Sequence, residues 1–241
     1  MNIQSQIQDH YKARISDPSD DHMHIGGKKA TAHFAEKMAF KKGESVLDVG
    51  CGLGGPARFV AENYDVYVTG IDLSPDNVSA ARALSTGLNL RFDLGDGQGL
   101  PYEIAAFDAA MVLHVGMNVP DKAALYREIA RVLKPGGRLG VYDIFETKVS
   151  DDFIFPMPWA KTPETSFLER PDIVRGYMEQ AGFRVISEEN RYDFAVGALE
   201  KLLANPDISM ADERRALLEN LLANLHAGLC APYICIAERL E

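Results

Sequence analysis

Ser45-Val-Leu-Asp-Val-Gly-Cys-Gly-Leu-Gly-Gly-Pro-Ala-Arg58 is the stretch that decides the fold. Val46, Leu47 and Val49 read as a short buried strand. Gly50, Gly52, Gly54 and Gly55 read as a turn without Cβ atoms, where the backbone bends and a ligand approaches closely. Pro56 falls at the first position of the following helix, where a missing N–H costs nothing. The free amides of that helix start face the turn and can hold a polar or anionic group. Gly50, Gly52 and Gly55 also satisfy the G-x-G-x-x-G spacing, so a nicotinamide dinucleotide site is the alternative reading. Asp48 lies just ahead of the first glycine. A carboxylate there suits a ligand with an ammonium or sulfonium charge better than a pyrophosphate.

Outward from this loop, the chain repeats one rhythm. The next helix runs to about Tyr64, and Asp65 to Asp72 is a second strand. It ends in Asp72, 22 residues after Gly50, where a strand-end carboxylate can accept hydrogen bonds from a ribose. Ser74-Pro75 supplies its own N-cap and first-turn proline for a helix over 76–85, which leaves Asp72 free for that role. Leu88 to Asp93 is the third strand. In Gly95-Asp96-Gly97-Gln98, Asp96 can accept from an exocyclic amine and the Gly97 N–H can donate to an adenine ring nitrogen. Phe107 to Val115 is apolar apart from Asp108 and His114, as suits a buried parallel strand. It carries Leu113 and His114 towards the ligand crevice and leads into Gly116, Met117 and Asn118. A helix over 121–133 is stopped by Lys134-Pro-Gly-Gly137. Arg138 to Phe145 is the fifth strand, with Tyr142 and Asp143 near its end. Residues 149–170 break the rhythm with aromatic residues and prolines and read as a cover over the site. A helix from Pro171, a sixth strand over Phe183–Ser187, two helices within 194–228 and a last strand over Ala231–Arg239 complete the chain. The late helices are candidates for core cover, lid or a homodimer contact. The expectation is an α/β fold: a doubly wound, mostly parallel, Rossmann-like sheet of seven strands, helices on both faces, small lid segments.

Ahead of the glycine loop, residues 3–14 read as a short helix containing Tyr11, and Lys28 to about Phe40 as another. The two form an N-terminal helical cap over 1–42. His22 and His24 lack a third partner for a metal, so no metal site is expected, and the better reading is a loop that closes over the ligand. The chain has 241 residues, enough for a single domain over 1–241 with a well-buried core. A net charge of −10 argues against a general nucleic-acid surface. The polar start (Asn2, Gln4, Ser5, Gln6, Gln8) does not read as a secretory signal, and no apolar run approaches the ~20 residues of a membrane span. A cytoplasmic enzyme without membrane insertion is expected. Cys51, Cys230 and Cys235 form neither a metal spacing nor a disulfide framework.

The combination of Val46-Leu-Asp-Val-Gly-Cys-Gly-Leu-Gly54, Gly70-Ile-Asp-Leu73, Gly95-Asp96, Phe107-Asp108 and Leu133-Lys-Pro-Gly-Gly137 resembles the class I S-adenosylmethionine-dependent methyltransferases. More narrowly, His24-Ile-Gly-Gly27, Gly54-Gly-Pro-Ala57, His114-Val-Gly-Met-Asn118 and Pro158–Phe167 look like a bacterial small-molecule branch. That branch is similar to sarcosine/dimethylglycine and, more distantly, to quinone- and tocopherol-ring methyltransferases. The resemblance implies S-adenosylmethionine as cofactor and a small-molecule acceptor. It places Gly50 and Gly52 at the methionyl part, Asp72 on the ribose, Leu73 on adenine, and Asp96 and Gly97 at the adenine edge, with Cys51, Gln98 and Leu113 also counted as cofactor-binding. It also makes the final strand antiparallel. The helical segment 194–228 departs from the short hairpin that many members carry there. His114 is the first candidate for a catalytic base, because its type titrates near neutrality and it lies beside the crevice. Tyr11, His24, Asn118, Tyr142, Asp143 and Trp159 are candidates for acceptor contacts. An inactive cofactor-binding regulatory protein is the remaining alternative.

Overall fold

The computed structural model describes residues 21–206, 208 and 210–241. The helix expected over 3–14, and Tyr11 with it, lies outside the described residues. Seven strands form one sheet: β1 (Ser45–Val49), β2 (Tyr67–Asp72), β3 (Leu90–Leu94), β4 (Phe107–Leu113), β5 (Leu133–Glu146), β6 (Phe183–Asn190) and β7 (Cys230–Arg239). Their order is β3-β2-β1-β4-β5-β7-β6. The first five pair in parallel, and β7 inserts antiparallel between β5 and β6. The order reverses between β1 and β4, so the connections leaving these neighbours diverge and open a crevice at their carboxyl ends.

Among the described residues seven helices flank the sheet: α1 (Gly27–Met38), α2 (Gly55–Tyr64), α3 (Pro75–Leu84), α4 (Lys122–Val132), α5 (Pro171–Gln180), α6 (Tyr192–Ala204) and α7 (Asp212–His226). Alternate residues of one strand feed opposite faces. Val46 and Met111 pack with Phe34, Val60 and Val78 of α1, α2 and α3. Leu47 and Val112 pack with Leu125, Ile129 and Met178 of α4 and α5. Both faces are therefore apolar, which is why the central strands read as continuous hydrophobic runs. A third apolar cluster joins Ile25, Met117, Ile144, Met157, Trp159, Leu199, Leu221 and Leu225. It ties residues 149–170 and helices α6 and α7 to the loops beyond the strand ends.

Two boundaries differ from the sequence reading by three residues or more. Helix α4 does stop at Val132, but the chain enters β5 at once. Residues 134–137 form an irregularity in that strand, with Phe107 paired to Leu133 and Ala109 already to Arg138. Gly136 at φ 73° supplies the bend. Strand β6 runs to Asn190 rather than Ser187, because its backbone keeps pairing with β7 as far as Tyr233 although its side chains turn polar. Among the described residues no helix is long and apolar enough to cross a membrane.

Candidate active site

A cavity of about 410 Å³ opens at the carboxyl ends of β1 to β4. Its wall includes Asp48, Gly50, Cys51 and Gly52 from the first strand and turn, Asp72 and Leu73 from the second, and Asp96, Gly97 and Gln98 after the third. Leu113, His114 and Asn118 close it after the fourth, and Asp21, Met23 and His24 contribute from the loop before α1.

The turn is shaped by glycine for a stated reason. Gly50 has φ 73°, and a Cβ there would lie 2.4 Å from a methyl of Val115. Any side chain would be strained and would also press on the loop that carries His114. Cys51 is buried, and burial beside Asp48 and Asp72 pushes its thiol well above the usual range. It fills the turn as a small residue and is not a ready nucleophile.

The two acids of β1 and β2 differ in their partners. Asp72 accepts from the Gly52 N–H at 2.8 Å, the Ser74 N–H at 2.9 Å and the Asn77 side-chain amide at 3.1 Å. Ser74 caps α3 as expected, with its hydroxyl accepting from the Asn77 N–H, but this does not leave Asp72 idle. Its carboxylate also braces the glycine turn against the start of α3. Burial pushes it up, while those three bonds hold it down. Asp48, 2% exposed, has no such support: its Oδ2 has no hydrogen-bond partner among the described residues. Burial first, and then the neighbouring Asp72, push its carboxyl up to about 8. A buried acceptor without a donor is costly unless something arrives to satisfy it. Next along the wall, Asp96 is tied to the Gln98 N–H at 2.9 Å.

His114 follows β4 at φ 55°, a left-handed conformation that a histidine rarely adopts. Its N–H donates to the Tyr142 carbonyl at 2.7 Å, and its ring lies 4.9 Å from that of Tyr142. Strain of this kind persists only where the surroundings enforce it, and it clusters at functional sites. His24 also faces the cavity, but its Nε2 is bound to the Thr31 hydroxyl at 3.0 Å, which is shared with His22 Nδ1 at 2.8 Å. Burial and the His22 charge lower its pKa to about 3, against a hydrogen bond to the Gly27 backbone. His24 is therefore neutral at any ordinary pH and is held by its partners.

Of the residues singled out in the sequence, Gly50, Cys51, Gly52, Asp72, Leu73, Asp96, Gly97, Gln98, Leu113, His114, His24 and Asn118 share this one wall. Tyr142, Asp143 and Trp159 do not reach it. Tyr142 is fully buried and donates its hydroxyl to the Ile25 carbonyl at 3.0 Å. Asp143 is buried on the other side of β5 and binds backbone amides. Trp159 sits in the third apolar cluster and donates from Nε1 to the Ser166 hydroxyl at 3.0 Å. Met23, Asn77, Val119 and Pro120 line the cavity without a signal in the sequence pattern.

Residues 46–137 match the profile of a family described as Methyltransferase domain. Phosphoethanolamine N-methyltransferase 1 of Arabidopsis thaliana is 32% identical over 193 residues, which is 74% of this chain and 36% of that protein. The 2-methyl-6-phytyl-1,4-hydroquinone methyltransferase of Synechocystis sp. is 41% identical over 102 residues, 42% of this chain and 32% of that protein. The chain spans about two fifths of the length of the plant phosphoethanolamine relatives it matches. A phosphoethanolamine N-methyltransferase 2 of Haemonchus contortus, solved with phosphomonomethylethanolamine and S-adenosylhomocysteine, superimposes with a TM-score of 0.80 at 18% identity, over 98% of this chain and 61% of that one. At that identity the likeness is one of fold. Strand order, glycine turn and profile match agree, and residues 46–137 form a methyltransferase domain.

Proposed function

We propose that the chain transfers a methyl group from S-adenosylmethionine to a small-molecule acceptor, releasing S-adenosylhomocysteine. One observation carries the reading: the glycine turn, the β2-end acid and the Asp96–Gln98 turn line a single cavity, into which the unsatisfied Asp48 is also set. An ammonium group beside Asp48 would supply the missing donor and a compensating charge. This fits a ligand with an amino-acid end better than one with a pyrophosphate.

When bound, the cofactor supplies a methyl carbon already activated by a sulfonium. The chain's own work is to bind, orient and exclude water. Gly50, Cys51 and Gly52 present backbone to the methionyl end. Asp72 accepts from the ribose hydroxyls with the lone pairs that Gly52, Ser74 and Asn77 leave. Leu73, 41% exposed, offers a face to adenine, and Asp96, Gly97 and Gln98 meet its edge. Holding the acceptor in line with the methyl group and sulfur can lower a barrier by ~7–11 kcal/mol. His114, on the wall beyond Leu113, takes the proton from an acceptor amine or hydroxyl, with Asn118 as a polar contact. Residues 149–170 and helices α6 and α7 pack behind that wall through Ile25 and Met117.

Calorimetry on the purified chain with S-adenosylhomocysteine, and separately with NADH, tests this reading. Binding of the first and none of the second is expected. The reverse would make the protein an oxidoreductase. Binding without methyl transfer to any member of a small-molecule panel would make it a cofactor-sensing regulator.

A further inference from the structure

Asp143 is an expensive residue for its position. Its neighbours Val141 and Phe145 on the same side of β5 belong to the apolar face covered by α4 and α5. A leucine would pack there without the cost of a buried charge. Instead the carboxylate is 2% exposed. Its Oδ2 accepts from the Gly116 N–H at 2.5 Å and its Oδ1 from the Ile144 N–H at 2.9 Å. Burial drives its pKa up to about 7, while the amides of Ile144, Gly116 and Val115 and the Lys122 ammonium pull it back. Tyr126 of α4 and Glu169 also face this pocket.

What those amides belong to gives the residue a purpose. Val115 and Gly116 directly follow His114, whose left-handed backbone would relax unless held. The clamp is close-fitting from both sides: a Cβ on Gly116 would lie 2.5 Å from Asp143 Oδ2. The same turn continues through Asn118 N–H to Val115 carbonyl and Val119 N–H to Gly116 carbonyl. It is then latched by Lys122, whose ammonium donates to the Val119 carbonyl at 3.0 Å and to the Phe167 carbonyl at 2.5 Å. His114, Val115, Asn118 and Val119 all line the cavity.

We propose that Asp143 is a positioning residue for the transfer step: by gripping the amides after His114 it fixes the strained turn that sets the imidazole on the cavity wall. The proposal rests on the methyl-transfer reading only for the word transfer; the grip itself can be tested without cofactor or acceptor. The probe is the imidazole resonances of His114 in the full-length chain labelled at histidine, assigned by their loss in His114→Gln. Asp143→Leu and Gly116→Ala are each expected to move those resonances, the second by pushing the carboxylate off the turn without altering β5. Asp143→Asn, which keeps one acceptor oxygen, should move them less. Combining Asp143→Leu with Gly116→Ala should move them no further than Asp143→Leu alone, because the contact is already gone. Circular dichroism melts identify any variant that fails to fold; should Asp143→Leu fail, Gly116→Ala alone and combined with Asp143→Asn decides. Unmoved resonances in folded variants, or shifts that simply add, overturn the proposal. S-adenosylhomocysteine calorimetry on the unaltered chain tests the parent reading separately, and its Kd should change by less than about threefold in Gly116→Ala.

Discussion

The two sides of the cavity are built differently. The side formed by β1, β2 and β3 is made of strand ends and the turns that follow them: a glycine turn, strand-end acids and a helix cap, most of them set by residues a few positions apart. The other side is made of side chains brought from far apart. Ile25 and Met117, next to the wall residues His24 and Asn118, are held by Trp159, Leu199, Leu221 and Leu225. Tyr142 reaches across to the Ile25 carbonyl, 117 positions away. One side can therefore stay constant while the other is rebuilt by distant substitutions, which suits a fold that binds one cofactor and serves many acceptors.

The two sides should come apart under mutation. His114→Ala should show the largest effect. Loss of a general base slows transfer by ~10²–10⁴-fold, while the S-adenosylhomocysteine Kd stays within a few-fold. Rates of methyl transfer at neutral pH with the true acceptor check it, and unchanged turnover removes His114 from the chemistry. Trp159→Ala comes next. Truncating a buried aromatic costs ~3–5 kcal/mol, read as a lower urea midpoint. In the variant that remains folded, cofactor-product affinity should hold within a few-fold. A parallel collapse of that affinity would show that the two sides are one unit.

This contrast also explains what could be read in advance. The fold was legible because its signals are local: apolar runs at Val46–Val49 and Phe107–Leu113, glycine turns after them, and the Ser74-Pro75 helix start. The positions around Gly50, Asp72 and Asp96 were legible for the same reason. Tyr142, Asp143 and Trp159 were misplaced because which face of β5 meets the cavity depends on alternation, and because the course of residues 149–170 depends on packing against α6 and α7. Asp72 marks the border. Its place at the end of β2 was expected, but its bond to the Gly52 N–H, 20 positions back, was not. Asp72→Ala should accordingly remove a ribose acceptor and loosen the glycine turn together. Hydrogen bonds to charged groups are worth about 1.5–3 kcal/mol, so calorimetry should find S-adenosylhomocysteine bound about 10- to 100-fold more weakly. An unchanged Kd would take the ribose role away from Asp72.

The smallest effect is a pH dependence, and it sharpens the same contrast, because Asp48 is an acid on the β1–β3 side whose Oδ2 has no donor among the described residues. An ordinary carboxyl titrates near 3.8, and here burial and Asp72 raise it to about 8. In the ligand-free protein Asp48 is therefore a neutral, protonated carboxyl at neutral pH, and it carries a charge only once a cation displaces that proton. The folded chain binds this proton more tightly than the unfolded chain, so from Asp48 alone stability falls as pH rises from about 4 towards 8. A ligand ammonium favours the ionised form and must displace the proton. The affinity for S-adenosylhomocysteine should then rise with pH below about 8 and level off above it, by at most about tenfold per unit. The same linkage requires proton release on binding, measured as a binding enthalpy that varies with the ionisation enthalpy of the buffer at pH 7. In Asp48→Asn the released proton should vanish and the slope below pH 8 should flatten. If the unaltered chain binds the compound with no proton released, the ammonium does not sit against Asp48, and the amino-acid end of the ligand must be placed elsewhere along the glycine turn.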